Sequence, residues 1–202
     1  MASKLFFMPG ASGDTEFWKP VADLLSYPGE QIHFGWPGFG PTPPAPTVNG
    51  IDDLVAKVVE KMDGPTALIA QSMGGVISVK AALARPKQVT HLVLSVTSGG
   101  IDLSEFDVQD WRAELHAANP WFPLWFSRYN HDLSSALQTV GVPVLLLWGD
   151  ADPISPIPMG RRLESLFPCS RLHIIEGGNH DLANTHASIV APLIELHLEN
   201  RS

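Results

Sequence analysis

Cysteine is almost missing from this chain. Cys169 is the single one in 202 residues, so no intrachain disulfide can form and the thiol reads as structural. Basic charge is scarce as well: 13 Lys and Arg stand against 21 Asp and Glu, a formal net charge of −8. The longest basic cluster is Arg161-Arg162, which reads as a solvated helix face. Gripping a nucleic-acid backbone needs a clustered basic surface, so that function class is excluded. No apolar stretch approaches the roughly 20 residues that span a bilayer. The histidines lack a recurring ligand spacing, so His173, His180 and His186 make a poor metal site. There is no internal repeat. The start, MASKLFFMPG, has one lysine and a short apolar run. It reads as a first strand rather than a signal peptide, and the cytoplasm is the expected location.

What is present is enough for a core. An apolar fraction of 45% with 17% charged residues is that of a globular chain, and the length suits one domain spanning residues 1–202. Short apolar runs bounded by Gly, Pro or Asp recur at 5–8, 31–34, 67–70, 91–96, 144–148 and 172–175, and predict buried strands. Helix-length segments lie between them at 17–25, 51–62, 73–84, 156–167 and 189–198. In the second of these Ile51, Leu54, Val55, Val58, Val59 and Met62 keep helical spacing. Pro192 is expected to kink the last helix or mark its first turn. This alternation predicts an α/β fold with about six mostly parallel strands and helices on both faces. Two segments break it. GWPGFGPTPPAPTVNG (35–50) is too rich in Pro and Gly for helix or strand. Residues 97–135 form a long aromatic insertion, read as one or two short helices and loops lying lid-like over the sheet edge.

In such a sheet ligands collect at the carboxyl ends of the strands. ALIAQSMGGVIS (67–78) places Ser72 there, between a strand and a helix, with small neighbours Ala70, Gly74 and Gly75. The helix N-terminus aimed at it favours developing negative charge; the plainer reading is a helix N-cap. Other strand ends supply partners. WGDADPISP carries Asp150 and Asp152, and EGGNHDL carries His180. A serine hydroxyl needs a base, and the base needs a carboxylate to fix its tautomer. The chain order Ser, Asp, His is that of a nucleophile-elbow enzyme.

With these residues the chain resembles the α/β-hydrolase fold family over nearly its whole length. MPGASGDTEFWKPVADLL is similar to the family's H-G-x-x-G…W segment, GWPGFG to its D-x-P-G-x-G loop, AQSMGG to the elbow, WGDADPISP to the acid loop and GGNHDL to the histidine loop. Ala70 replaces the elbow's first glycine, Pro9 the usual histidine and Trp36 the usual aspartate. The chain begins at what would be the family's third strand, and its insertion is shorter than a full cap.

The resemblance implies Ser72 as nucleophile, His180 as general base and then acid, and Asp152 as its orienting carboxylate through the G-x-x-D spacing from Gly149. Asp150 becomes a turn residue; Asp102 is the alternative acid, after the preceding strand. The oxyanion hole would be the N–H groups of Ala11 and Met73, and Asp14 a helix cap. Trp18, Trp36, Phe39, Trp111, Trp121 and Trp125 are candidates to line an acyl pocket, with Trp36, Trp111, Trp121 and Trp125 taken as the substrate-binding set. The implied reaction is hydrolysis of a small, apolar carboxylic ester through an acyl-enzyme, with no metal or organic cofactor and no membrane partner. Thioester, lactone and carbon–carbon hydrolysis use the same triad, and a non-catalytic binding role is the alternative of another class.

Overall fold

The structure, a computed structural model, describes residues 1–106, 108 and 117–200. Strands β1 (Lys4–Met8), β2 (Glu30–His33), β3 (Thr66–Gln71), β4 (Val89–Ser95), β5 (Val144–Gly149) and β6 (Ser170–Ile175) coincide with the six predicted runs. They form one sheet in the order β2-β1-β3-β4-β5-β6, every pairing parallel. All residues of β3 and β5 are buried, as a sheet covered on both faces requires.

Helices α1 (Lys19–Ala22), α2 (Ile51–Glu60), α3 (Met73–Ala84), α4 (Leu124–Arg128), α5 (Ser134–Leu137), α6 (Ile157–Leu166), α7 (Leu182–Thr185) and α8 (Ala187–Glu199) connect the strands. Successive strand residues point to opposite faces, and the core divides accordingly. Phe6, Met8, Leu68 and Ala70 pack with α2, α3 and α6 through Leu54, Val58, Ile77 and Leu163. Leu5, Phe7, Ala67 and Ile69 pack with α1, α7 and α8 through Val21, Leu182, Val190 and Ile194. Met8 pairs with Ala70, Gln71 with Ser95 and Gly149 with Ile175. The strands therefore end side by side, and the loops that follow them meet along one edge.

Three expectations change. The helix predicted over 17–25 shrinks to α1, and the chain beyond it closes in tight turns, Leu24 N–H to Val21 O at 3.0 Å and Leu25 N–H to Ala22 O at 3.3 Å. Pro192 lies in the second turn of α8, inside a continuous helix and on its exposed side, where water can serve the carbonyl its missing N–H leaves free. The insertion leaves β4, an inner strand, and its described residues that line the cavity with Ser72, among them Ile101, Leu103 and Tyr129, lie over the carboxyl ends of the strands rather than over the sheet's edge.

The C-terminal end of α8 is held to the sheet by two histidines. The rings of His91 on β4 and His197 on α8 meet edge to face at 5.1 Å. His91 Nε2 donates to Asn200 O at 3.3 Å and His197 Nε2 to Leu92 O at 3.1 Å. Burial, helped by the neighbouring His91, pushes His197 down from 6.5 to about 4, and burial also lowers His91. Above pH 6.5 both rings are neutral folded or unfolded, and the contribution is complete. As pH falls from 6.5 towards 4 the unfolded chain takes up the His197 proton and the folded one does not, and the lowered His91 acts in the same direction, so stability drops. For His197 alone this amounts to about 3 kcal/mol. Denaturant unfolding followed from neutral to acid pH should show that loss, and His197→Gln should flatten it. A wild-type midpoint that did not move over this range would contradict the assignment.

Candidate active site

β3 ends at Gln71 and α3 begins at Met73, so Ser72 alone makes the turn. Its φ of 52° is one of two positive values outside glycine among the described residues; the other is Val96 at 41°. Such angles cost of the order of 1 kcal/mol or more and persist only where the surroundings impose them. The imposition is visible at Gly74. A Cβ there would lie 2.6 Å from Pro9 O and 2.7 Å from Met8 O, so α3 reaches the end of β1 only because that atom is missing. Although Ser72 stands at the N-cap, its side chain makes no capping bond. The hydroxyl instead opens on a cavity of about 550 Å³, with Met73 beside it.

The loop after β1 passes close by. A Cβ on Gly10 would come within 3.0 Å of Ser72 Cβ. Two indoles fix this loop: Trp18 Nε1 donates to Met8 O at 3.0 Å and Trp36 Nε1 to Pro9 O at 2.9 Å. The two departures at Pro9 and Trp36 thus meet in one hydrogen bond. The N–H groups of Ala11 and Met73 enter no backbone hydrogen bond of a turn, loop or cap.

Asp152 is buried and doubly used. Its Oδ2 accepts from His180 Nδ1 at 2.8 Å, and its Oδ1 from the N–H groups of Ile154 at 2.8 Å and Ser155 at 3.2 Å. Burial alone would raise this carboxyl. The hydrogen bond and charge of His180, with the two N–H donors, outweigh it and bring the pKa below the ordinary value. The carboxylate is therefore kept charged, and the Nδ1 of His180 protonated. The acid and histidine loops meet at two glycines, since a Cβ on Gly149 would collide with the carbonyl of Gly178. Asp150, expected as a turn residue, ties the acid loop to the histidine loop, its Oδ1 accepting from Gly177 N–H at 2.7 Å. Asp102 is exposed, lines the same cavity as Ser72, and is bound to Ser104, Oδ2 accepting from Oγ at 2.7 Å; it makes no hydrogen bond to His180 among the described residues. Ser72 Oγ and His180 are not hydrogen-bonded; their link is Gln71, whose Nε2 donates to His180 O at 3.1 Å. Catalytic hydrogen bonds of unliganded sites are often long and tighten when substrate arrives.

A serine elbow, a paired aspartate and histidine, and a six-stranded parallel sheet carrying each at a strand end point one way, and comparison with known proteins decides it. The sequence pattern of the Alpha/beta hydrolase family matches residues 5–193. The chain belongs to that family. Over 95% of its length it is 21% identical to a pimeloyl-[acyl-carrier protein] methyl ester esterase of Legionella pneumophila (strain Paris), covering 93% of that enzyme. A 73-residue stretch is 38% identical to a Synechocystis protein described as a non-heme chloroperoxidase; it spans 36% of this chain and 25% of that protein. The fold superposes on a meta-cleavage product hydrolase from Pseudomonas fluorescens IP01 with a TM-score of 0.81, at 17% identity, over 98% of this chain and 91% of the other.

The walls of this alpha/beta hydrolase's cavity differ from those expected. Trp36 is 1% exposed and belongs to the core; its indole N–H is turned to Pro9, not to the cavity. Trp121 is 65% exposed and stands on the outer surface. Trp125 packs edge to face on Phe39 at 5.7 Å, behind the wall. Trp111 lies outside the described residues. Trp18 and Phe39 are buried in the core. The wall is instead mixed: apolar at Ile51, Val76, Ile101, Leu103, Phe126 and Met159, and polar at Ser98, Asp102, Ser104, Arg128, Asn130 and His131, with Tyr129 between them. Sequence reasoning missed these because aliphatic residues at strand and helix ends carry no mark of function. It also missed Thr97 and Ser155, two buried hydroxyl residues bonded to Ser72 and Asp152. Each is a small polar residue in a loop that follows a strand, but the acceptor it reaches lies 25 or 59 residues away in the chain.

Proposed function

We propose that the protein is a serine hydrolase of carboxylic esters with an apolar acyl or alcohol group. The observation that carries this reading is the Ser72 residue: held at φ 52°, its side chain unused as a cap, and lining a cavity whose wall combines apolar residues such as Ile51, Val76 and Met159 with polar ones such as Ser98, Asp102 and Arg128. Ser72 Oγ attacks the ester carbonyl while His180 takes its proton through Nε2, the nitrogen opposite the one bound to Asp152. The oxyanion forms against the N–H groups of Met73 and Ala11, with the α3 N-terminus behind it. His180 then protonates the leaving alcohol, and water hydrolyses the acyl-enzyme by the same route. Residues 97–135 act as a small lid on one domain of 1–202. The alignment with the Legionella esterase runs over 227 positions, more than this chain's 202 residues, so residues are missing here that the relative has.

Steady-state hydrolysis of p-nitrophenyl esters of increasing acyl length tests the reading. Turnover with an optimum at intermediate length is expected, since a cavity of about 550 Å³ is bounded by Phe126 and Met159. A folded protein that turns over acyl thioesters but no ester of any length would overturn the ester assignment and keep the triad.

A further inference from the structure

Buried polar side chains need partners, and half of those in this core share one circuit. Thr66, Gln71, Ser78, His91, Ser95, Thr97, Asp152 and Ser155 are the buried polar or charged residues among those described. Gln71, Thr97, Ser155 and Asp152 close a ring through the triad. Thr97 Oγ1 donates to Ser72 O at 2.6 Å. Ser155 Oγ donates to Val96 O at 3.1 Å, and Ser155 N–H to Asp152 Oδ1 at 3.2 Å. Asp152 Oδ2 accepts from His180 Nδ1 at 2.8 Å, and Gln71 Nε2, one residue before Ser72, donates to His180 O at 3.1 Å.

The ring also clamps both strained residues. Ser72 (φ 52°) and Val96 (φ 41°) lie at the ends of neighbouring strands, and for a β-branched residue such an angle is an outlier. The hydroxyl of Thr97 has one possible direction. Its oxygen accepts Gly99 N–H at 3.1 Å, which leaves its proton for Ser72 O. That carbonyl, which also accepts Gly75 N–H at 2.9 Å from the first turn of α3, shares a rigid peptide plane with the N–H of Met73. Fixing the one orients the other.

We infer that Thr97 is a positioning residue of the catalytic site: its hydroxyl, buttressed through Val96 by Ser155, holds the 72–73 peptide plane so that Met73 N–H faces the developing oxyanion. The inference rests on the serine-hydrolase reading and adds to it a residue that touches no substrate. An oxyanion donor that is misaimed rather than removed should cost kcat about 10- to 100-fold. Ground-state binding is made by other groups, so KM should hold.

The test compares wild type, Thr97→Val and Thr97→Ser in ester turnover and in the rate of fluorophosphonate labelling at Ser72, each normalised to folded protein by circular dichroism. Thr97→Val is expected to lose kcat and labelling rate together at near-constant KM. Thr97→Ser, which restores the hydroxyl, should return to within about threefold of wild type. If Thr97→Val is recovered unfolded, Ser155→Ala, which frees the same strained turn one residue earlier, carries the test with the same expected loss in kcat. A Thr97→Val protein, or Ser155→Ala in its place, with wild-type kcat per folded molecule and only a lowered melting temperature would overturn the inference and leave the hydrolase intact. A folded wild type that neither turns over esters nor takes the label would remove the serine-hydrolase reading and this inference with it.

Discussion

Ser72→Ala should end ester turnover and fluorophosphonate labelling together, on a protein that folds as before. In the proposed mechanism its hydroxyl oxygen forms the acyl bond, and no other serine shares its position at the head of α3. What remains, a pair of oxyanion donors and a binding cavity, leaves a small residue of catalysis over water, so the loss in kcat should be of the order of 10⁴-fold or more. The fold should not notice. Ser72 caps nothing with its side chain, and both core clusters are built from other residues. Alanine meets the same positive φ at a comparable cost. The melting temperature should stay within a few degrees, in keeping with a change below about 1 kcal/mol. Three measurements on one preparation decide it: p-nitrophenyl ester turnover, gel-based fluorophosphonate labelling and thermal unfolding. Turnover retained by purified Ser72→Ala would end the mechanism, whatever the fold resembles. Loss of activity with loss of folding would say nothing of chemistry, which is why the melting curve belongs in the same experiment.

How much of this could be read beforehand follows from the kind of interaction each feature uses. The strands were legible because a parallel sheet buries both faces, so TALIAQ and VLLLWG stand out as apolar runs without any partner being known. The positions of Ser72, Asp152 and His180 were legible because each lies in the turn or loop that follows such a run. Their roles came from the family's spacing, and the contact of His180 with Asp152 agrees with that spacing. The aromatic residues were not legible. Tryptophan in a loop has no period to betray which side it faces, and the outcome was opposite for two of them, Trp36 in the core and Trp121 outside. The task of Trp36 depends on Pro9 O, a carbonyl 27 residues earlier in the chain. Thr97 and Ser155 likewise reach acceptors 25 and 59 residues away. Contacts of that kind belong to tertiary structure, and no local pattern announces them. The shortened α1 is a smaller case: its apolar residues fitted a helix, but LLSYPG (24–29) punctuates the chain with Pro28 and Gly29, and the last turns tighten before it.

Asp152→Asn should lower kcat by about 10³- to 10⁴-fold while changing a single atom of the carboxyl group. The geometry fixes how. Oδ1 already accepts two backbone N–H groups, from Ile154 and Ser155. In the asparagine variant the carbonyl oxygen must keep that place, since an NH₂ group there would face two donors. The NH₂ group is thereby turned to His180. Nδ1 can no longer donate and has to accept, so the ring proton moves to Nε2, the nitrogen that should receive the proton of Ser72. The base is then occupied before the reaction begins. The charge that stabilises the imidazolium in the transition state is lost as well. Packing hardly changes, and neither do the substrate contacts, so KM should stay within a few-fold and the effect should fall on kcat. Fluorophosphonate labelling, which needs the same proton transfer, should slow in parallel, while Ser72→Ala remains the baseline of no labelling. The measurement is kcat and KM for Asp152→Asn beside Asp102→Asn. The carboxylate of Asp102 is engaged with Ser104 and exposed, so its variant should retain most of kcat. If the large loss fell on Asp102→Asn and Asp152→Asn stayed within tenfold of wild type, the acid would belong to the loop after β4, and the 2.8 Å contact to His180 would be a structural pair only.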